Sequence, residues 1–327
     1  MFSVTLRLPS AMGGCLVMSR QIFSIAFFLL LYAVQGMAQV FGRQFIAVPG
    51  IDSSSVAWFT RTWIEQGRPL KAVLSVASTG RFDVFVNGYN VSRDALMPRR
   101  EGCGGGALEM SFDVTRFARR DTNTVFIVCS PPTDMSGKAV VAACLYGLDC
   151  DGRRFSRPSD ENWLCRRGDI VLAYGGCEWR DGRIDEVDRS GSLFDSACWV
   201  GAECLDDAPV GGLLVLPPVS RGERIVSILS PSGGENRGDS IVYSFDKTFR
   251  GFVRVTIRGA RRGQKLSVDG SDYICTGQLD EQAFDRFSPR MRHRVVVKGG
   301  RRLRRLDIMK VEGLVLGGYD GGWFEDR

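Results

Sequence analysis

The sequence predicts an all-β protein, with two jelly-roll-like antiparallel β-sandwich domains in series behind a signal peptide. Three observations predict it. Glycine is abundant, at 39 of 327 residues, while apolar stripes at helical spacing are scarce, which favours short strands joined by turns over a helical bundle. Short runs alternate apolar and polar residues and stop at turn dipeptides such as Asn87-Gly88 and Asp151-Gly152. The N-terminus carries a basic residue, an apolar run and a small-residue site in signal-peptide order. A hydrophobic fraction of 44% with 24% charged residues is enough for packed cores and excludes a disordered chain.

The leader comes first. Residues 22–34 (IFSIAFFLLLYAV) follow Arg20 and precede Gly36-Met37-Ala38, which places cleavage before Gln39 and the signal peptide at 1–38. The run is shorter than the roughly 20 apolar residues of a membrane span. Membrane attachment is therefore expected only if the signal stays uncleaved. Met18 stands directly before this run and marks an alternative start. The cleavage point has no cysteine, which argues against a lipoprotein. Removing 1–38 takes away Arg7 and Arg20 and no acid, so the formal charge falls from +6 to +4; so mild a charge does not demand a polyanionic partner. The expected location is the periplasm or cell surface.

The first sandwich is placed at 39–203. Residues 70–77 form an apolar strand, and 81–86 alternate, with Phe82, Val84 and Val86 on one face. Asn87-Gly88 then makes a type I′ hairpin turn, because both residues tolerate positive φ. Further strands are expected at 107–114, 124–129 and 140–148, with 102–106 as a loop. A stretch dense in Gly, Asp and Pro, 181–218, holds the boundary near Glu203. In the second sandwich, 204–327, residues 251–258 alternate cleanly, with Val253, Val255 and Ile257 facing one way and Arg254, Thr256 and Arg258 the other. Strands at 266–269, 293–297 and 306–311 complete it.

Nine cysteines follow the leader, an odd number that leaves at least one unpaired. Cys144/Cys150 and Cys198/Cys204 are spaced to bridge in an oxidising compartment; buried free thiols are the other reading. No C-x-x-C occurs, which removes a zinc ribbon or thioredoxin-like dithiol.

Residues 70–128 carry Val86-Asn87-Gly88, Phe112-Asp113-Val114-Thr115 and Asn123-Thr124-Val125 in that order, and this order resembles the N-terminal module of bacterial α-L-rhamnosidases. Val86-Asn87-Gly88 resembles the family's Ile-Asn-Gly, Phe112-Asp113-Val114-Thr115 its Tyr-Asp-Val-Thr, and Asn123-Thr124-Val125 its strand entry. Asp151-Gly152, the Ser159-Asp160-Glu161-Asn162-Trp163 run and Glu178-Trp179-Arg180-Asp181-Gly182-Arg183 follow in family order. Tyr243, Phe245 and Gly251 are similar to a later motif, whose polar positions are here Ser244, Lys247 and Thr248. Asp272-Tyr273 and Phe287-Ser288-Pro289-Arg290 resemble shortened later motifs. The resemblance implies β-sandwiches that handle carbohydrate and precede a catalytic α/α-barrel carrying the acidic residues. This sequence reaches Arg327 just after the second sandwich, so a non-catalytic, carbohydrate-binding accessory protein is expected. A fragment of a split or truncated rhamnosidase and a structural interaction protein with a decayed sugar site are the alternatives.

Glycoside hydrolysis needs two opposed carboxylates; the only dense acidic group is Glu178, Asp181, Asp185, Glu186 and Asp188, better read as a turn than as a catalytic pair. The single histidine, His293, sits in a strand pattern and cannot carry a triad or a multi-histidine metal site. No motif calls for a cofactor or a metal, and calcium dependence is not set by these residues. Sugar sites present an aromatic face with polar groups around it. Among Trp163, Trp179, Trp199 and Trp323, Trp179 fits best, in an expected loop with Glu178, Asp181 and Arg183 as carbohydrate-binding residues. Residues 286–306 hold nine Lys/Arg, one His and no carboxylate. Export and the lack of interleaved aromatics argue against nucleic acid; Arg301, Arg302, Arg304 and Arg305 are expected to contact an acidic glycan. The expected partner is a rhamnose- or uronate-containing polysaccharide or oligosaccharide.

Overall fold

The structure is a computed structural model that describes residues 44–100, 106–184, 198–206, 213–216, 222–299 and 307–318. The leader 1–38, Asp185, Glu186, Asp188, Trp323 and the four arginines Arg301, Arg302, Arg304 and Arg305 lie outside the described residues. Among the described residues there are strands and two 3-10 turns but no α-helix, and no helix long and apolar enough to cross a membrane. They belong to one compact unit, Arg43–Arg327.

The first strands are β1 (Phe45–Ala47), β2 (Ser55–Ile64), β3 (Lys71–Ser78), β4 (Phe82–Val86), β5 (Tyr89–Asn90), β6 (Ala107–Asp113), β7 (Thr122–Cys129) and β8 (Val140–Leu148). Next come β9 (Arg154–Pro158), β10 (Leu164–Ala173), β11 (Cys177–Asp181), β12 (Val200–Gly201), β13 (Glu203–Leu205) and β14 (Leu213–Val215). The remainder are β15 (Arg224–Leu229), β16 (Gly233–Arg237), β17 (Ser240–Arg258), β18 (Lys265–Val268), β19 (Ser271–Ile274), β20 (Asp280–Phe284), β21 (Arg290–Lys298) and β22 (Ile308–Gly317).

A smaller sheet runs β13-β1-β8-β3-β6-β14, with β9 on β8. A larger one runs β15-β22-β17-β21-β18-β19-β11-β10-β2-β7-β4-β5, with β12 on β10 and β16 and β20 on β17. The expected all-β sandwich is what the chain forms. A first core, with Ile46, Phe59, Leu74, Phe82, Ile127 and Trp163, joins side chains of β1, β3 and β8 to those of β2, β4 and β7. It explains why β8 is apolar along most of its length. Asn87 and Gly88 turn between Val86 and Tyr89 with φ of 51° and 86°. The Asn87 side chain also donates to the Phe117 carbonyl at 2.8 Å and accepts from the Thr124 amide at 2.9 Å. Asparagine there fixes both the turn and the neighbouring strand entry.

Strands β17–β22 surround a second core containing Phe245, Phe249, Val253, Val255, Ile257, Leu266, Val295 and Val297. The alternation predicted for 251–258 is realised: Val253, Val255 and Ile257 point inward, while Arg254 Nε pairs with Glu312 at 2.8 Å and Arg258 with Asp280 at 2.6 Å. Gly251 is required by close approach, since a Cβ there would lie 1.9 Å from the Leu314 carbonyl oxygen. The two cores share the larger sheet through one parallel pairing, β11 beside β19, with Trp179 opposite Asp272 and Arg180 opposite Tyr273.

Eight described cysteines are free. Neither spaced pair bridges: Cys144 is buried in β8 with its Sγ 3.4 Å from Ser156 Oγ, and Cys150 is exposed. Cys198 is likewise exposed and unbridged to Cys204.

Candidate functional site

The four residues singled out around Trp179 occupy strand β11 and the turn after it, not the expected loop. Charge along Cys177–Asp181 suggested a loop, but backbone pairing to β10 and β19 on both sides makes it an interior strand. Strand alternation then divides the group, because successive side chains leave a strand on opposite faces. Trp179 is 36% exposed. Asp181 lies on the same side and grips Arg183, accepting from Nε at 2.9 Å and Nη2 at 2.8 Å; that hydrogen bond holds its carboxyl below the usual carboxylate range. Glu178 points the other way and is 3% exposed.

Glu178 is a structural anchor. Its Oε1 accepts the amides of Phe287 and Ser288, each at 2.7 Å, and its Oε2 accepts that of Arg286 at 2.8 Å. Burial, with the charge of Asp285 beside it, pushes its carboxyl up to about 7 against those three amides. Burial also raises Asp285, opposed by hydrogen bonding to Ser271 and by Arg292 and Arg290. The segment that Glu178 holds is latched to the first half of the chain twice more. Arg286 pairs with Asp83 at 2.7 Å, and Arg81 Nη1 donates to the Phe287 carbonyl. Phe287 itself packs with Trp58, Phe126 and Trp199.

Beside this latch opens a cleft of about 420 Å3, within the size range of small-ligand sites. Leu172 and Phe287 supply apolar wall, and Arg81, Ser130, Asp134, Arg250 and Ser288 supply polar groups. The 3-10 turn Tyr174–Gly176 stands at its side, with Gly175 and Gly176 at φ of 76° and 73°. Two left-handed positions in a row favour glycine, and they lift the Tyr174 ring clear, at 98% exposure. Asp134 is fixed by Ser136, accepting from its hydroxyl at 2.7 Å and its amide at 3.1 Å, which lowers its pKa. Arg250 is held by Glu223 at 3.1 Å. Burial depresses the Arg81 guanidinium, with Glu223 opposing.

An open aromatic ring, a fixed acceptor and forked donors suit a pyranose: the ring covers a C–H face and the polar groups take hydroxyls. Asp134 is the one carboxylate among the described lining residues, whereas hydrolysis uses an opposed pair. Among the described residues no three His, Cys, Asp or Glu side chains converge on a metal position. The remaining sequence candidates are placed as follows: Trp163 and Trp199 are core residues, 1% and 7% exposed, and His293 is exposed on β21. Tyr174 and Arg81 were not singled out from the sequence. The available signal was an aromatic followed by Gly-Gly, a turn that displays its first residue.

No protein-family profile matches the sequence, and no curated protein matches it. Solved structures do. The α-L-rhamnosidase from Dictyoglumus thermophilum superposes with a TM-score of 0.72 and 17% identity, over 86% of this chain and 36% of that one. The fold is that of a segment of α-L-rhamnosidases. The enzyme from Aspergillus terreus gives 0.67 and 17%, over 84% of this chain and 36% of its own. The Streptomyces avermitilis α-L-rhamnosidase, solved in complex with L-rhamnose, gives 0.67 and 20%, over 81% and 29%. The chain thus spans about a third of the length of these rhamnosidases, and the likeness read from the order of its motifs is found again in its fold.

Proposed function

We propose that this chain is an exported, non-catalytic carbohydrate-binding protein and that the cleft beside Tyr174 takes the sugar. One observation carries the reading: Tyr174, 98% exposed, beside a sugar-sized cleft in which Asp134 is a fixed carboxylate. The ligand class is a rhamnose- or uronate-bearing polysaccharide, supported by the rhamnosidase fold and by the L-rhamnose complex of the Streptomyces avermitilis neighbour. The signal at 1–38 supports export to the periplasm or cell surface. Trp179 with Asp181 and Arg183 offers a second, shallower aromatic surface for the same ligand class.

A second reading is favoured by the share of the rhamnosidases that the chain spans: it is one piece of a split rhamnosidase whose catalytic part is encoded separately. Titration calorimetry of the exported protein with rhamnose-bearing oligosaccharides tests the binding reading. Tyr174→Ala is expected to weaken binding with an unchanged melting temperature, since so exposed a ring packs against little. Covering one ring face, about 50 Å2 of apolar surface, contributes about 1.3 kcal/mol, or roughly tenfold in affinity. Trp179→Ala reports separately on the second surface. Absence of binding to every oligosaccharide overturns the proposal and leaves a structural interaction protein.

A further inference from the structure

We propose a second binding site, for a carboxylate-bearing saccharide, along the open side of the first sandwich. Strand β5 ends the larger sheet and β14 ends the smaller one. A groove of about 820 Å3 lies where these ends meet, lined by residues that follow β5, by the end of β6 and by Leu216 just after β14. Its apolar lining includes Met97, Met110 and Phe112; Met97 and Met110 are 2% and 4% exposed. Its cationic lining is Arg68, Arg93 and Arg116.

These three guanidiniums face no described carboxylate within ion-pairing distance. Arg68 Nη2 reaches only the carbonyls of Thr115 and Arg116, at 3.4 and 3.3 Å. Arg116 lies over the Phe117 ring, 4.4 Å from its centroid. Arg93 is presented by a left-handed backbone, φ 64°, whose amide donates to Asn90 Oδ1 at 3.0 Å. The one acid among the described lining residues, Asp113, is already committed: Lys71 sits 2.5 Å from its Oδ2 and the Thr115 hydroxyl donates to its Oδ1 at 2.6 Å. Three forked cations over an apolar floor, with the lining carboxylate of Asp113 already paired, fit a ligand with carboxylates on an apolar-faced body. Guanidinium matches a carboxylate two bonds at a time, and the floor accepts the C–H face of a pyranose. A uronic-acid oligosaccharide has both features, whereas an inorganic anion uses only the arginines.

The site is separate from the Tyr174 cleft, and its test separates the two. The whole exported protein is titrated with oligogalacturonate, with its methyl ester and with inorganic sulfate, at about 50 and 200 mM salt, across which exposed charge contacts are progressively screened. The acid form is expected to bind and to weaken with salt, and the ester and sulfate to bind at least about tenfold more weakly. Replacing Arg68, Arg93 and Arg116 together by Gln is expected to lower affinity for the acid by about tenfold or more at an unchanged melting temperature. Arg93→Gln alone lowers it by less. Equal affinity for acid and ester, sulfate binding as tight as the oligosaccharide, no binding of the acid, or acid binding lost in Tyr174→Ala but kept in the triple variant each overturns the proposal. The last of these outcomes would assign the uronate to the Tyr174 cleft instead.

Discussion

Replacing Glu178 by Gln removes one acceptor from a carboxylate that serves three amides. The glutamine carbonyl can take the place of Oε1 and keep the bonds from Phe287 and Ser288, both 2.7 Å in the native chain. Its NH2 group then faces the Arg286 amide, donor against donor, where Oε2 had accepted at 2.8 Å. Losing that bond costs about 1.5–3 kcal/mol, but the neutral amide also escapes the burial cost that lifts the native carboxyl, and the raised value means that this cost outweighs the three amides. With the native carboxyl ionised, the variant is therefore expected to be at least as stable as native protein, by up to about 3 kcal/mol, which at about 2–4 °C per kcal/mol raises the melting temperature by up to about 12 °C. The measurement belongs near pH 8, above the value of about 7 to which burial lifts Glu178 from its ordinary 4.5. The sign with pH follows from the direction of that shift. A folded carboxyl raised above its unfolded value contributes stability that is complete below 4.5 and is lost as pH rises through about 7. Native protein therefore gains stability on acidification from 8 towards 5 relative to the glutamine variant, for which this dependence is absent, and the gap between them changes accordingly. Urea titrations of both proteins across that range measure it. A variant clearly less stable than native protein at pH 8, or identical pH dependence in the two proteins, refutes the raised carboxyl and the burial that causes it.

Gly251→Ala is expected to destabilise the protein by about 1–3 kcal/mol or more, because its Cβ meets the Leu314 carbonyl oxygen at 1.9 Å; denaturant unfolding measures this. N-terminal sequencing of exported protein is expected to begin at or near Gln39, and an intact 20–38 segment in a membrane fraction would instead establish an uncleaved anchor. The purified protein is expected to release no nitrophenol from an aryl rhamnoside, and release abolished by a carboxylate substitution would overturn the non-catalytic reading. Replacing Arg301, Arg302, Arg304 and Arg305 by Gln is expected to weaken binding of an acidic polysaccharide and its salt dependence, with equal titrations in native and variant protein counting against that contact.

Much of the fold was legible because local signals and tertiary pairing agree. Residues 140–148 are uniformly apolar and are a strand over that same span, and Asn87-Gly88 forms the two-residue turn its chemistry favours. Strand β17 is nineteen residues long, yet only its second part was visible. The register shift between Ser244 and Phe249 breaks the alternation that would have revealed the rest. The site was less legible. Glu178 and Trp179 are adjacent in sequence and read as one group, but they leave β11 on opposite faces. Whether a carboxylate is a ligand or an anchor depends on what packs over it, and Glu178 is covered by a segment more than a hundred positions away. Gly251 matched a motif without explanation in the sequence; the approach of the Leu314 carbonyl supplies one.

The parallel seam between β11 and β19 has a practical consequence for anyone who wants to express the halves of this chain apart. Cutting after β13 would not release two self-sufficient pieces. It would bare the flank of β11 on one fragment and that of β19 on the other, each a row of unpaired amides and carbonyls of the kind that recruits foreign strands. It would also leave the Glu178 carboxylate buried in a wall whose other side had been taken away. The fragments are expected to precipitate or to find each other again, and co-expression of the two as a self-assembling pair is the form in which a divided version of this protein would stay in solution.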